Sequence, residues 1–432
     1  MTFTEFWERF NALEKKHNLL EMEIGGLPIY ALRRVKFFYA VAVALGIYSD
    51  PHPAAASTKG EVPTVALDFS NVAKKPVMVV PFRRLVGGID PYSQTLVELL
   101  ERHGKNPKVL DWQWLVGLQR AARAKGRAGL LGKLSRKLSA GSTDAKWNQV
   151  VALFEQEFNV KLTGLALPQG FILNFQSDAD AAADYFKAAG LAKLYLVDAY
   201  SNQWLVQAAH QAGAKVYEIQ HGFVNEYHPA YSFPNGSPKL AHVPDELLVW
   251  GKFWGEGVKL PNGMTVEVSG ASRQFNEYRE KLSAIARNEK QIMFTSQGAV
   301  SEELQKAAVL AAKALPDFKV IYRLHPNEDL ASYPSEGLPE NFSYSHKNPI
   351  FLELLAQSAY LVGAFSTTLY EGLALGAKVL VLPLAGYENM NRAIASGDVT
   401  VISDLGRIGE FIRAAKPAAN PDNYYAKELL ND

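Results

Sequence analysis

Leu361-Val-Gly-Ala-Phe-Ser-Thr-Thr-Leu-Tyr-Glu-Gly-Leu-Ala-Leu-Gly-Ala-Lys-Val-Leu-Val-Leu-Pro383 is the stretch whose reading decides the fold. An apolar strand runs into Ser366, Thr367 and Thr368, and a short helix carrying Glu371 follows. Gly376 ends the helix, and a second apolar strand begins at Val379. Hydroxyls and free backbone N–H groups at a helix start bind phosphate. A carboxylate one turn further on can hold a ribose diol. The segment is therefore expected to seat a nucleotide.

The same alternation extends outward. Strand signals recur at Pro76 to Phe82, Lys108 to Leu110, Phe171 to Phe175, Leu194 to Val197 and Val216 to Ile219. A second series runs from Leu247 to Trp250 through Thr265 to Val268, Gln291 to Thr295, Lys319 to Leu324, Tyr360 to Val362, Val379 to Leu382 and Val399 to Ile402. Short apolar runs separated by helical spacings predict parallel sheets. The fold class expected is α/β, with two doubly wound Rossmann-like domains. In such sheets the ligand lies at the carboxyl ends of the strands. The boundaries expected are 1–63 for an N-terminal helical region and linker, 64–245 for the first Rossmann-like domain and 246–405 for the second. Residues 406–432 are expected to form a helix crossing back to the first domain.

At 432 residues the chain exceeds one ordinary core. A net charge of +1 predicts no overall pull toward nucleic acid, and the absence of cysteine excludes disulfides and thiolate metal sites. Met1 to Asn18 is charged and amphipathic, with a capping box at Thr2 and Glu5, and is not a signal pattern. A first helix is expected to end at Gly25-Gly26 and a second to span Pro28 to Tyr48. The longest apolar run, Phe37 to Tyr48, is too short to span a bilayer, which needs roughly 20 residues. It reads as a buried helix or as one lying on an anionic membrane face behind Arg33, Arg34 and Lys36. A cytoplasmic location, on its own or peripheral to the membrane, is the expectation.

Tyr322-Arg-Leu-His-Pro326 ends a strand on which Arg323 and His325 share a face. Pro326 stops the strand and leaves two donors of positive character for a phosphate. Thr295, Ser296 and the N–H groups around Gly298 are candidates for the same phosphate. His221, followed by Gly222, ends a strand of the first series and is a candidate general base. The loop Asn225 to Phe233 is dense in aromatic and polar groups, with Glu226, Tyr227 and His228 candidates for acceptor hydroxyls and Glu226 a reserve base. After Val86-Gly87-Gly88, Asp90 reads as a helix cap or an acceptor contact, and Asp198 as a turn residue or an acid/base group.

Other signals argue for little. Asp178-Ala-Asp180 matches the Asp-x-Asp of metal-dependent glycosyl transfer but follows Ser177 at an expected helix start, where the dipole explains both carboxylates. No metal site and no cofactor are expected. The basic run Arg120, Arg123, Lys125, Arg127, Lys133, Arg136 and Lys137 reads as a solvated helix face, or as a contact for anionic lipid or an acidic glycan.

Gln220-His221-Gly222, His325-Pro326 and Ser366-Thr367-x-x-x-Glu371 occur in that order. Together they resemble GT-B glycosyltransferases of bacterial surface-polysaccharide assembly, most strongly over 216–395. The His-Pro and hydroxyl pairs look like the nucleotide-phosphate motifs of bacterial sialyltransferases and Kdo transferases. There an Asp/Glu-Asp/Glu-Gly motif supplies the base; here Gln220-His221-Gly222 stands at what looks like the matching place. The His-Gly and His-Pro pairs also resemble CDP-glycerol polyol-phosphate transferases. The resemblance implies two domains facing across a cleft. It also implies metal-independent, inverting transfer from a CMP- or UDP-linked sugar to a glycan or glycolipid hydroxyl. Arg323, His325, Pro326, Ser296, Gly298, Ser366, Thr367, Thr368 and Glu371 would hold the donor nucleotide. Rival readings are the polyol-phosphate transferase, a nucleotide-sugar epimerase of the same architecture, and a catalytically silent scaffold.

Overall fold

A computed structural model of the chain describes residues 1–48, 62–83, 90–128, 140–168, 170–271 and 273–427. The linker expected at 50–63 (apart from its last two residues), Gly87-Gly88, Lys133, Arg136 and Lys137 lie outside them, and Arg127 is described only as part of a helix backbone. The chain forms two compact units. The first comprises Met1–Val249 and Val258–Glu267, the second Trp250–Gly257 and Val268–Asp432.

The first unit holds strands β1 (Val77–Val80), β2 (Lys108–Val109), β3 (Lys193–Val197), β4 (Lys215–Ile219), β5 (Glu246–Val249) and β6 (Thr265–Val268), in the order β2-β1-β3-β4-β5-β6. The second holds β7 (Asn288–Thr295), β8 (Lys319–Arg323), β9 (Phe342–Ser345), β10 (Ser358–Gly363), β11 (Lys378–Val381) and β12 (Val399–Val401), in the order β12-β11-β10-β7-β8-β9. Pairing is parallel from β1 to β5 and throughout the second sheet. The α/β, doubly wound organisation expected of both units is therefore present. Strands such as β10 are buried at every position, as sheets covered on both faces require.

Both sheets reverse winding direction near their middle. In the first the reversal falls between β1 and β3, in the second between β7 and β10. A crevice for ligands opens at such points, beyond the carboxyl ends of the strands. The registers Val197↔Ile219 and Thr295↔Arg323 bring neighbouring strands to a common edge.

Several expectations need correction. Phe171 to Phe175 is not a strand but the first turn of the helix Phe171–Ala189. Its five apolar and polar residues have no decisive period. The alanines that follow do, and Ala179, Ala182, Ala183 and Ala189 bury one helical face. Glu246–Val249 belongs to the first sheet, because its apolar run pairs with β4 through Tyr217↔Glu246 and Ile219↔Leu248. The helix Ile408–Ala414 stays in the second unit, where Ile408, Ile412 and Ala415 join the core around Leu315. The first helix, Phe3–Lys16, stops well before Gly25. Its capping box is formed: Thr2 Oγ1 accepts from Glu5 N at 3.2 Å, and Glu5 Oε2 from Thr2 N at 2.8 Å.

The apolar run at 37–48 lies mostly in the helix Ile29–Ala44, and Phe37, Phe38, Val41 and Ala42 are buried against Phe6, Phe10, Trp147 and Phe154. This face is core of the first unit and is not offered to a membrane. Among the described residues no helix is long and apolar enough to cross one.

Candidate active site at two sheet edges

At the edge of the first sheet, β3 delivers Asp198 and β4 delivers His221. Asp198 has φ +62°, a left-handed conformation that the Asn202 side chain supports by donating to its carbonyl at 2.8 Å. Its Oδ1 is buried without a partner among the described residues. Burial lifts the carboxyl to about 6, with the Ser201 hydroxyl and the Arg83 charge pulling the other way.

His221 Nε2 lies 3.3 Å from the Tyr200 hydroxyl. The rings of Phe82, Tyr200 and Tyr92 surround the imidazole at 5.3, 5.8 and 6.1 Å. Burial lowers its pKa to about 4, while the Ile219 carbonyl and the Asp90 charge oppose the shift. The ring is therefore neutral at pH 7. The Tyr200 hydroxyl faces Nε2, and Nδ1 is buried with no hydrogen-bond partner among the described residues.

Asp90 does not reach toward a ligand. Its Oδ1 accepts from Tyr92 N at 2.9 Å and its Oδ2 from Phe82 N at 2.9 Å and from the Ser93 hydroxyl. It pins the loop that sets two of the three rings around His221. The Tyr227 ring is also committed, edge-on to Phe3 and Trp7 at 5.1 and 6.3 Å. Glu226 is half-buried in the same loop. His228 packs on Tyr231 at 4.7 Å and accepts from Ala230 N at Nδ1, and burial lowers its pKa to about 3.

Glu218 was not singled out by its sequence, although a lone acid inside the apolar run of β4 is a signal. It is buried, accepts from Tyr231 Oη at 2.8 Å and Ala199 N at 3.0 Å, and burial lifts it to about 8.

At the edge of the second sheet, the neighbours β10, β7 and β8 end one to three residues before Ser366, Ser296 and His325 in turn. Ser366 caps the helix Thr367–Ala374: its Oγ accepts from Thr368 N at 3.3 Å and from Thr368 Oγ1 at 2.8 Å. With both contacts accepted, the Ser366 hydroxyl keeps its own proton to donate. Gly372 lets this helix lie close on β10, since a Cβ there would sit 2.5 Å from Leu361 Cδ2. Gly376, at φ +76°, ends the helical segment as expected. Glu371 is half-buried with no cation beside it, and burial alone lifts it to about 7.

His325 is exposed, and its Nδ1 accepts from Asn327 N at 3.3 Å, which leaves Nε2–H as a donor. Pro326 follows and turns the chain. Glu328, unmarked in the sequence reading, holds the turn by accepting from His325 N at 2.6 Å, Ser296 Oγ at 2.8 Å and Tyr333 Oη at 3.0 Å. Ser296 also accepts from Tyr322 Oη at 3.0 Å, so its hydroxyl is engaged on both sides. Gly298 opens the next helical turn, with nothing within 4 Å of where a Cβ would stand.

Arg323 differs from expectation. It is buried, and its guanidinium donates to Ser345 Oγ and Pro349 O at 2.8 Å and to Lys347 O at 3.2 Å. It braces the loop after β9 and shares no ligand face with His325.

Asp178 lies inside the helix Phe171–Ala189, not at its start, and is paired with Arg123 and with Gln119 Nε2 at 2.9 Å. The dipole reading is replaced by an ion pair. Among the described residues no group of three or more His, Asp or Glu side chains is placed to hold a metal ion.

No family model and no curated relative matches the chain. Among solved structures, it is similar to a UDP-GlcNAc 2-epimerase from Neisseria meningitidis bound to UDP-GlcNAc, at 15% identity over 81% of this chain and 95% of that one, with a TM-score of 0.44. It is similar to the calicheamicin glycosyltransferase at 15% identity over 81% and 92%, with a TM-score of 0.45. MurG from Acinetobacter baumannii is similar at 11% identity over 81% and 97%, with a TM-score of 0.44.

Proposed function

We propose that the chain is a metal-independent glycosyltransferase of GT-B type that moves a sugar from a CMP- or UDP-linked donor to an alcohol, with inversion. One observation carries the reading. Three adjacent strands of the second sheet deliver Ser366-Thr367, the Gly298 turn and His325 to its winding reversal, with Glu371 one helical turn behind.

In this reading the bond between the anomeric carbon and the phosphate oxygen breaks, and its electron pair goes to the phosphate. The Ser366 hydroxyl, the helix start at Thr367 and Thr368 and the His325 Nε2–H stabilise the charge that develops. Glu371, once ionised, accepts from the ribose hydroxyls. The first edge supplies the base. The acceptor oxygen attacks the anomeric carbon, and its proton passes to His221 Nε2. Arg323, Ser296 and Asp90 act as positioning residues.

Calorimetry with CMP, CDP and UDP, followed by donor turnover, tests the proposal. His325→Ala should lower turnover on the order of 100-fold or more, with weaker nucleotide binding. His221→Ala should abolish transfer and keep nucleotide binding. Absence of binding by all three nucleotides would leave only the scaffold reading. The imidazole at the end of β4, in place of a carboxylate, favours polyol-phosphate transfer as a second reading. A new phosphodiester signal in phosphorus NMR of the product would establish that reading instead.

A further inference from the structure

Two adjacent arginines on the helix Ile29–Ala44 are both buried and differ in their partners. Arg34 is saturated: it donates to Glu14 Oε1 at 2.6 Å and Oε2 at 2.9 Å, to Ser232 O at 2.8 Å, to Asn11 Oδ1 at 3.2 Å and to Pro229 O. Arg33 is 9% exposed, yet its Nε and Nη2 have no hydrogen-bond partner among the described residues. Its guanidinium lies over the rings of Phe171 and Trp147, at 5.5 and 5.7 Å. Buried charges ordinarily find a counter-charge.

Arg33 lines a cavity of about 610 Å³ inside the first unit, together with Lys36, Arg83, Arg123, Asp178 and Tyr200 among others. Lys36 lies one turn from Arg33 on the same helical face. Among the described residues Asp178 is the one carboxylate in the lining, and Arg123 already holds it. Arg83 has the Asp198 charge nearby, so Arg33 and Lys36 are the two lining cations with no anion assigned to them among the described residues. Phe171, Phe175 and Trp204 supply an apolar wall, and Asn174, Gln119 and Gln203 supply polar groups. Its volume suits a small phosphorylated molecule. Tyr200 belongs to this lining, and its hydroxyl lies 3.3 Å from His221 Nε2, so one side chain stands between the cavity and the candidate base.

We propose that this cavity binds a phosphate group, with the Nε and Nη2 edge of Arg33 as its fork and Lys36 and Arg83 as flanking charges. Two parallel N–H donors on one guanidinium edge match two phosphate oxygens. The excess of cations suits a dianion better than a carboxylate. Resting on the transferase reading, the cavity is the acceptor subsite, and the acceptor is a phosphorylated carbohydrate or polyol whose free hydroxyl reaches His221.

Calorimetric titration of the full chain with inorganic phosphate at low ionic strength tests the site. Arg33→Met and, on the exposed rim where folding is not at risk, Lys36→Gln should each weaken phosphate binding about tenfold or more. Loss of phosphate binding in His325→Ala but not in Arg33→Met would place the phosphate at the second sheet edge and overturn the proposal. No binding by the native protein, or native affinity retained in both Lys36→Gln and Arg33→Met, overturns the proposal. Binding of glucuronate without binding of phosphate overturns the phosphate assignment. If CMP or UDP binds and phosphate does not, this proposal alone fails. If phosphate binds at Arg33 and no nucleotide binds anywhere, the transferase reading fails and the phosphate site stands.

Discussion

Glu371→Gln is expected to make the free protein more stable at neutral and alkaline pH while weakening its hold on nucleotide. Burial lifts Glu371 from 4.5 to about 7 with no cation to offset it. At about 1.4 kcal/mol per pKa unit, ionising the folded protein there costs about 3 kcal/mol. Glu371 is only half-buried, so solvent screening brings the figure nearer 2 kcal/mol. The sign follows from proton linkage. Below 4.5 the carboxyl is neutral in both folded and unfolded chains, and no penalty exists. Between 4.5 and about 7 the folded state keeps a proton that the unfolded state has lost, so stability falls as pH rises. Above that window the penalty is complete.

Glutamine has no such penalty, so its advantage should open across the window and level off above it. For a unit of this size about 2 kcal/mol corresponds to roughly 4–8 °C in melting temperature at about pH 8. Calorimetric scans of both proteins at intervals from about pH 5 to about pH 8.5 measure the gap. In the presence of UDP or CMP the order should change. A hydrogen bond to a charged group is worth about 1.5–3 kcal/mol, so the variant should bind nucleotide about tenfold or more weakly and gain less thermal stabilisation from it. An equal gap at both ends of the pH range would refute the buried-carboxylate reasoning. A more stable variant with native nucleotide affinity would refute the ribose contact alone.

Arg34→Met should cost about 3–5 kcal/mol in urea unfolding, because it strands the buried Glu14 carboxylate and frees the loop carbonyls of Pro229 and Ser232; adding Glu14→Gln should recover part of that loss. The acid limb of kcat/KM reports the free protein's base, so a limb near pH 4 fits His221 and one near 6 fits Asp198. Asp198→Asn should leave a limb near 4 in place, and its disappearance would move the base assignment from His221 to Asp198.

The second sheet was legible because its strands are buried on both faces and each ends in a polar or glycine turn. β7, β8 and β10 read as apolar runs that stop at Ser296, Pro326 and Ser366, and the structure ends them close to those points. Phe171 to Phe175 was not legible as helix, since five residues hold no full helical period. Membership of Glu246–Val249 was hidden for another reason: strand identity is local, but which sheet a strand joins depends on a partner about thirty residues away.

Side-chain commitments were hidden in the same way. Arg323 has the residue type and position of a phosphate ligand, and only the folded loop at Ser345–Pro349 shows that its donors are engaged. Arg33 and Arg34 are indistinguishable in sequence; Glu14 and the Ser232 carbonyl, distant in the chain, make one saturated and leave the other without a partner.

The first sheet edge concentrates four titratable groups whose charges burial suppresses in opposite senses. Carboxyls rise, Glu218 to about 8 and Asp198 to about 6, and imidazoles fall, His221 to about 4 and His228 to about 3. At pH 7 Glu218 is therefore neutral and so are both histidines, which leaves Asp198 as the main anion beside the Arg83 cation. A nearly neutral edge has a consequence for the base. Among the described residues no carboxylate hydrogen-bonds His221 as in Ser-His-Asp sites, and the Asp90 charge acts on it only through space. Burial outweighs both the Asp90 charge and the Ile219 carbonyl, which raise its proton affinity. In the proposed reaction His221 is therefore a weak base, and a kcat/KM profile that stays flat down to about pH 5 is what such a base requires.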